Sequence, residues 1–390
     1  MRILTGNNHL QKTGGTENFT FALSVELKRL GHEVEYFTFE KGEISDKLED
    51  AGIPFMSHNE YDLILVNHNT VVEYLWPYGY IIQTCHGTVP DLEQPSPFAD
   101  RFVCVTEEVR IHLQNKGLKA DVILNGIDCN RFAPHVTIHS QLTSVLSLSQ
   151  SDELNTFIKS CCENIGVSFM SCNKFTDNVW EIENDINKAD LVVGIGRSLY
   201  DAMACGRCII SYDNRSYVNG SIGDGYITSD NIEKSIWYNC SGRGLHKTFT
   251  KEEFIAELKK YNPSDGQWAR EYALEHLNVA ITVQHYLSLY SLHEQTEEDS
   301  LYLRGKKSLM RLEKEKIMKK EVGLYEKYNK AKEANVNLTE QNRQLHEQIQ
   351  ASDRQIQWLA RKNKKHLRQV RLLGFSGIVL IIAIIILLFN

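Results

Sequence analysis

The sequence predicts an α/β fold of two doubly wound parallel sheets, followed by one long helix and a short apolar tail. Three observations carry that expectation. Short aliphatic runs alternate with helical stretches up to about residue 292. Two strand-to-helix junctions carry glycine turns, at Gly14-Gly15 and at Gly194 to Gly196. Beyond residue 295 glycine becomes rare, charge rises and apolar residues recur every seven positions.

Residues 2–5 read as a strand and 17–30 as a helix, with Phe19, Leu23, Leu27 and Leu30 on one face. Gly31 ends that helix and 34–39 form the next strand. The result is a βαβ unit with a glycine turn at the carboxyl end of its first strand, the edge where such sheets bind ligands. Gly14 and Gly15 are therefore expected to bring backbone amides against a ligand phosphate or sugar. Further strands are expected at 63–66, 80–84, 101–105 and 121–124. His86 and Gly87 follow the 80–84 run at the same edge, which makes His86 a candidate functional side chain.

A turn-rich link, Asn125-Gly126-Ile127-Asp128 and then Arg131-Phe132-Ala133-Pro134, sets a domain boundary near residue 135. The second domain, 136–292, has strands expected at 144–148, 168–170, 191–193 and 208–211, and helices at 251–260 and 267–292. Its informative stretch runs from Leu191 to Asp213. An apolar strand meets Gly194 and Gly196, Ser198 is placed to cap a helix starting there, and Gly206 stops that helix. Such a junction presents amide donors to a phosphate. Arg197 stands at the mouth of the turn, where a fixed charge helps hold an anion. Asp201 lies one turn on, suited to a ribose hydroxyl. Both domains thus read as Rossmann-like.

Composition narrows the class. A hydrophobic content of 42% and a charged content of 24% are ordinary for a globular protein. The net charge of -7 argues against a nucleic-acid partner. Nine cysteines show no regular spacing, and Cys205 with Cys208 lacks a second ligand pair for zinc. They are expected to be reduced and mostly buried. The N-terminus, MRILTGNN, has no apolar signal core, so the head is expected to be cytoplasmic.

Several segments, in order, resemble the family-4 retaining glycosyltransferases of GT-B architecture. They are Gly14-Gly15-Thr16-Glu17, Gly31-His32-Glu33-Val34, His86-Gly87, Ala99-Asp100 through Val105-Thr106-Glu107, Asn125-Gly126-Ile127-Asp128 to Phe132, and Asp201-Ala202-Met203-Ala204-Cys205-Gly206. The resemblance covers residues 1 to about 292. It implies a nucleotide-diphosphate sugar as donor substrate, lying in the cleft between the domains, and transfer with retention. It places Gly14-Gly15 beside the donor phosphates and acceptor, His86 against the donor sugar as the catalytic candidate, and Asp201 on the ribose. It also implies that the 267–292 helix crosses back to brace the first domain. No Asp-x-Asp motif is present, and neither a metal nor another cofactor is expected. Retention fits a route in which the leaving phosphate takes the acceptor proton, since no general base is evident. Two departures favour an alternative, a catalytically silent GT-B-like scaffold or sugar-binding subunit. Val193 stands where the family has a glutamate, and Leu146 to Gln150 lack the family's basic pair. Arg197 and the helix start at Ser198 are expected to supply the missing counter-charge.

From 295 to 371 the heptad positions Leu303, Met310, Ile317, Leu324, Ala331, Leu338, Leu345, Ser352 and Leu359 predict a coiled-coil stalk and a homodimer. Leu372 to Phe389 is an apolar run of about the length needed to span hydrocarbon, placed within 372–390. The preceding Arg361, Lys362, Lys364, Lys365, Arg368 and Arg371 predict a cytoplasmic head, lipid headgroup contact and a membrane-associated acceptor.

Overall fold

In a computed structural model of the chain, eleven strands form two sheets among the described residues, which are 1–173, 180–214, 220–294, 338, 341–345, 348–349, 352, 355 and 374. The chain divides into two units, Met1–Ser308 and Leu309–Asn390. Both sheets belong to the first unit.

The first sheet contains β1 (Arg2–Gly6), β2 (Glu33–Phe37), β3 (Tyr61–Val66), β4 (Gly79–Cys85), β5 (Arg101–Cys104) and β6 (Ala120–Val122). Their order is β2-β1-β3-β4-β5-β6, and every pair is parallel. The chain reverses its winding direction between β1 and β3, so the ligand crevice of this lobe opens at the carboxyl ends of those strands. Ile3, Leu63, Ile82 and Val103 are buried beneath the Gly15–Arg29 helix, which contributes Phe19, Leu23 and Leu27.

The second sheet contains β7 (Ser144–Ser147), β8 (Ser168–Ser171), β9 (Leu191–Gly194), β10 (Cys208–Asn214) and β11 (Ser221–Ile227), ordered β11-β10-β9-β7-β8. Its reversal lies between β7 and β9. Apolar residues cover both faces: Leu146, Val192 and Ile209 on one, Val145, Leu191, Val193 and Ile210 on the other. That two-sided burial is why the strands read as unbroken aliphatic runs.

Two elements differ from the sequence expectation. β11 is not among the expected strands, because Gly223 and Gly225 interrupt its pattern. It pairs antiparallel with β10 across a bulge at Ser211/Tyr212, where a Cβ on Gly223 would overlap the Ser211 carbonyl. The single helix expected over 267–292 is broken. Pro263–Tyr272 packs on the second sheet, Ala273–Leu277 form a π-turn, and Val279–Glu294 packs on the first. Asn278 is extended because Ile127 of the link enters the helix ladder, donating to Leu277 O at 2.7 Å and accepting from Val279 N at 2.9 Å. The return to the first lobe is secured by Tyr286, whose hydroxyl lies 2.7 Å from Thr84 Oγ1. Arg270 holds the link by donating to Phe132 O and Cys129 O at 2.8 and 3.0 Å.

All nine cysteines are buried and none is in a disulfide. The described residues of the second unit are helical, and Leu338, Leu345 and Ile349 are exposed. The stalk expected over 295–371 and the anchor expected over 372–390 otherwise lie outside the described residues. Among the described residues, no helix is long and apolar enough to cross a membrane.

Candidate functional site

The carboxyl ends of the two sheets enclose a cleft of about 410 Å³. Seven of the eight residues singled out in the sequence line it: Gly14, Gly15, His86, Gly196, Arg197, Ser198 and Asp201. Gly194 does not. It is the last residue of β9, paired with Ser211.

On the first lobe the glycine turn is itself the helix start. Gly14 is the N-cap, in extended conformation, and the helix begins at Gly15. A Cβ on Gly14 would overlap the Glu17 carboxylate, which folds back beneath it to meet His9 Nε2 at 2.8 Å. His86 leaves the end of β4 with Nε2 3.0 Å from Asn67 Oδ1 and its ring edge-on to Phe19. Asn67 Nδ2 donates to Thr20 Oγ1, so Asn67 Oδ1 is the acceptor and His86 Nε2 carries the proton. Burial pushes the His86 pKa down to about 3, and the ring is a neutral donor near pH 7.

On the second lobe the helix begins at Arg197, one residue before the position expected. Gly196 is its N-cap at φ +59°, a conformation suited to glycine. Ser198 is therefore not the cap. Its hydroxyl donates back to Ile195 O at 2.8 Å. The N–H groups of Arg197 and Ser198 have no acceptor among the described residues, which leaves two donors at the positive end of the helix. The Arg197 guanidinium is buried beside the cleft, donates from Nη1 to Gly126 O at 3.0 Å, and has Nε 3.8 Å from Asp201 Oδ1. Burial pushes the Asp201 pKa up to about 6, against the opposing pull of Arg197. Among the described lining residues, Arg197 carries the one positive charge and Glu93, Asp201 and Asp213 are carboxyls.

The two departures have structural counterparts. Val193 is fully buried inside β9 and does not reach the cleft. After β7 the chain offers uncharged side chains: Ser147 Oγ donates to Asn155, Ser149 Oγ to the Asp213 carboxyl, and Gln150 Nε2 to Leu148 O.

A further feature was not visible in any motif. Five cleft-lining residues carry a buried polar atom with no hydrogen-bond partner among the described residues: Oδ1 of Asn18, Asn125, Asp201 and Asn239, and Nε of Arg197. Buried polar groups are otherwise almost always paired. Four of these atoms are acceptors, and one of them, Asp201 Oδ1, faces Arg197 Nε at 3.8 Å. Asn18 had a signal in its place one turn into the first helix. Asn239 had none, since its position depends on a left-handed backbone at φ 57°. Glu93 also lines the cleft without any sequence signature. Among the described residues, no cluster of His, Cys, Asp and Glu is arranged to hold a metal.

No family model and no curated protein sequence matches the chain. Among solved structures, Anabaena HepE in complex with UDP and glucose superposes with a TM-score of 0.52 at 14% identity, over 75% of this chain and 99% of that one. The pneumococcal O-GlcNAc transferase GtfA, in complex with UDP and GlcNAc, gives a TM-score of 0.49 at 8% identity, over 75% and 98%. At these identities the likeness is one of fold, and the fold is the two-lobed GT-B architecture, with its sheets facing each other across the cleft.

Proposed function

We propose that the chain is a glycosyltransferase that moves a sugar from a nucleotide-diphosphate donor to an acceptor, with retention at the anomeric carbon. The observation that carries this reading is the set of unpartnered polar atoms around the cleft. Sugar and ribose hydroxyls would satisfy the four acceptors. The free amides at Arg197 and Ser198, with the Arg197 charge, would face the diphosphate. Catalysis would then rest on positioning the donor and stabilising the leaving diphosphate as charge develops on it. His86, neutral and fixed by Asn67, would accept a hydrogen bond from a hydroxyl of the donor sugar through Nδ1 or steer the sugar by contact, without exchanging protons. HepE was solved with UDP and glucose, which makes uridine nucleotides the first donors to test. Retention rests on the family resemblance, and no metal is required, so EDTA is expected to leave turnover unchanged.

The exposed Leu338, Leu345 and Ile349 support self-association through the stalk. The apolar run from Leu372 and its basic flank support a membrane tether with the head in the cytoplasm, beside a membrane-associated acceptor. A second reading, a silent sugar-binding scaffold, is favoured by Arg197, the one cation among the described cleft-lining residues, already facing Asp201, and by Val193 being closed inside the sheet. Transfer assays on the full-length protein with a panel of nucleotide sugars separate the two. Turnover supports the enzyme; nucleotide binding without turnover leaves the scaffold.

A further inference from the structure

The turn after β4 holds a side chain that the reading above does not use. Glu93 lines the cleft on the same lobe as Gly14 and His86. Its turn is fixed on both sides. Asn69 Nδ2 donates to Asp91 O at 2.7 Å, and Gln83 Nε2 donates to Gln94 O at 2.9 Å. Gln94 Oε1 in turn accepts from Lys116 Nζ at 2.6 Å and His112 Nε2 at 2.9 Å. The Glu93 carboxyl itself makes no hydrogen bond or ion pair with another described residue. It lies over Gly87, where a Cβ would come within 2.5 Å of its Oε2. Gly87 therefore leaves room for an acid held in place by its turn and open toward the cleft.

The titratable groups that act on Glu93 or feel its charge are Glu17 from the first helix and Cys85 at the end of β4, while His86 and Arg197 line the same cleft. Burial first, and Glu17 second, push the Glu93 carboxyl up to about 7. Burial raises the Cys85 thiol far above neutrality and holds His86 neutral. Among the described lining residues of this lobe, Glu93 alone is poised to exchange a proton near neutral pH.

We propose that Glu93 accepts the proton of the acceptor's attacking hydroxyl. The assignment rests on the nucleotide-sugar reading. The acceptor oxygen bonds to the anomeric carbon on the face from which the phosphate departs, so configuration is kept, while the bond from that carbon to the phosphate oxygen breaks. The bonding pair leaves with the nucleotide diphosphate, and the hydroxyl proton passes to the Glu93 carboxylate. This differs from the route in which the leaving phosphate takes the proton.

The test is steady-state transfer by the full-length protein across pH, with UDP affinity measured in parallel by calorimetry. Wild-type kcat/KM is expected to fall below about pH 7. Glu93→Gln should lose about a hundredfold in kcat together with that pH limb, while UDP affinity and unfolding temperature stay unchanged. Glu93→Asp should recover part of the rate. Wild-type kcat and an unaltered pH profile in Glu93→Gln would overturn the role of Glu93 and leave the nucleotide-sugar reading standing. A wild-type protein that binds no nucleoside diphosphate would overturn that reading and this assignment with it.

Discussion

Gly126 sits where the link between the lobes presses against the last helix, and replacing it tests whether that junction is locked. A Cβ at Gly126 would lie 2.6 Å from Thr282 Oγ1 and 2.8 Å from Val279 Cα. The hydroxyl can rotate away, but the Val279 backbone cannot. Relief requires the link to move off the helix, and three hydrogen bonds hold it there. Ile127 N donates to Leu277 O, Val279 N donates to Ile127 O, and Arg197 Nη1 donates to Gly126 O. Two neutral bonds at about 1 kcal/mol each and one charge-assisted bond at about 2 kcal/mol set a ceiling near ~4 kcal/mol. Partial relaxation leaves about 2–3 kcal/mol, the usual cost of overpacking. For a unit of this size each kcal/mol moves Tm by about 2–4 °C. Gly126→Ala is therefore expected to unfold roughly 5–10 °C below the parent, taking the same figure for each kcal/mol. Circular dichroism melts measure this directly. A Tm within about 2 °C of the parent would refute the locked junction.

Val193→Glu places an unpaired charge inside β9, so it is expected to abolish soluble folded protein rather than restore a sugar contact; recovery of a folded, more active variant would contradict the placement of Val193. Burial raises Asp201 from its ordinary 3.8 to about 6, so the folded state binds more protons than the unfolded state between those values. The group's contribution to stability then falls as pH rises across that window, and Asp201→Asn should flatten that part of the Tm curve, with a parallel curve counting against it. Arg243 on the second lobe forks onto Glu108 on the first, and both are partly exposed. Arg243→Glu should cost about 1 kcal/mol in Tm measurements, and adding Glu108→Arg should recover it; a double variant no better than the single one would show that the pair does not bridge the lobes.

Much of the fold was legible because a parallel sheet covered on both faces writes itself as aliphatic runs, as at Leu63 to Val66 and Leu191 to Val193. The glycine turns were legible for a local reason too, since Gly14 must clear Glu17 and Gly196 must take a positive φ. β11 was not legible, because Gly223 and Gly225 suit a bulged antiparallel edge that only the partner strand defines. The break at Asn278 was equally hidden, because Ile127, distant in sequence, creates it. At the site, glycine turns and strand ends pointed to Gly14, His86 and Arg197. Asn239 and Glu93 came from turns whose placement depends on tertiary contacts, and no pattern marks them.

The central claim is that the cleft takes a nucleotide diphosphate at the start of the Arg197–Ala204 helix. Calorimetric titration of the full-length protein with UDP and other nucleoside diphosphates, repeated on Arg197→Ala, tests it most directly. Saturable one-site binding is predicted, weakened about tenfold or more in the variant through loss of a charge-assisted contact. Failure to bind any nucleoside diphosphate, or equal affinity in the variant, would contradict it.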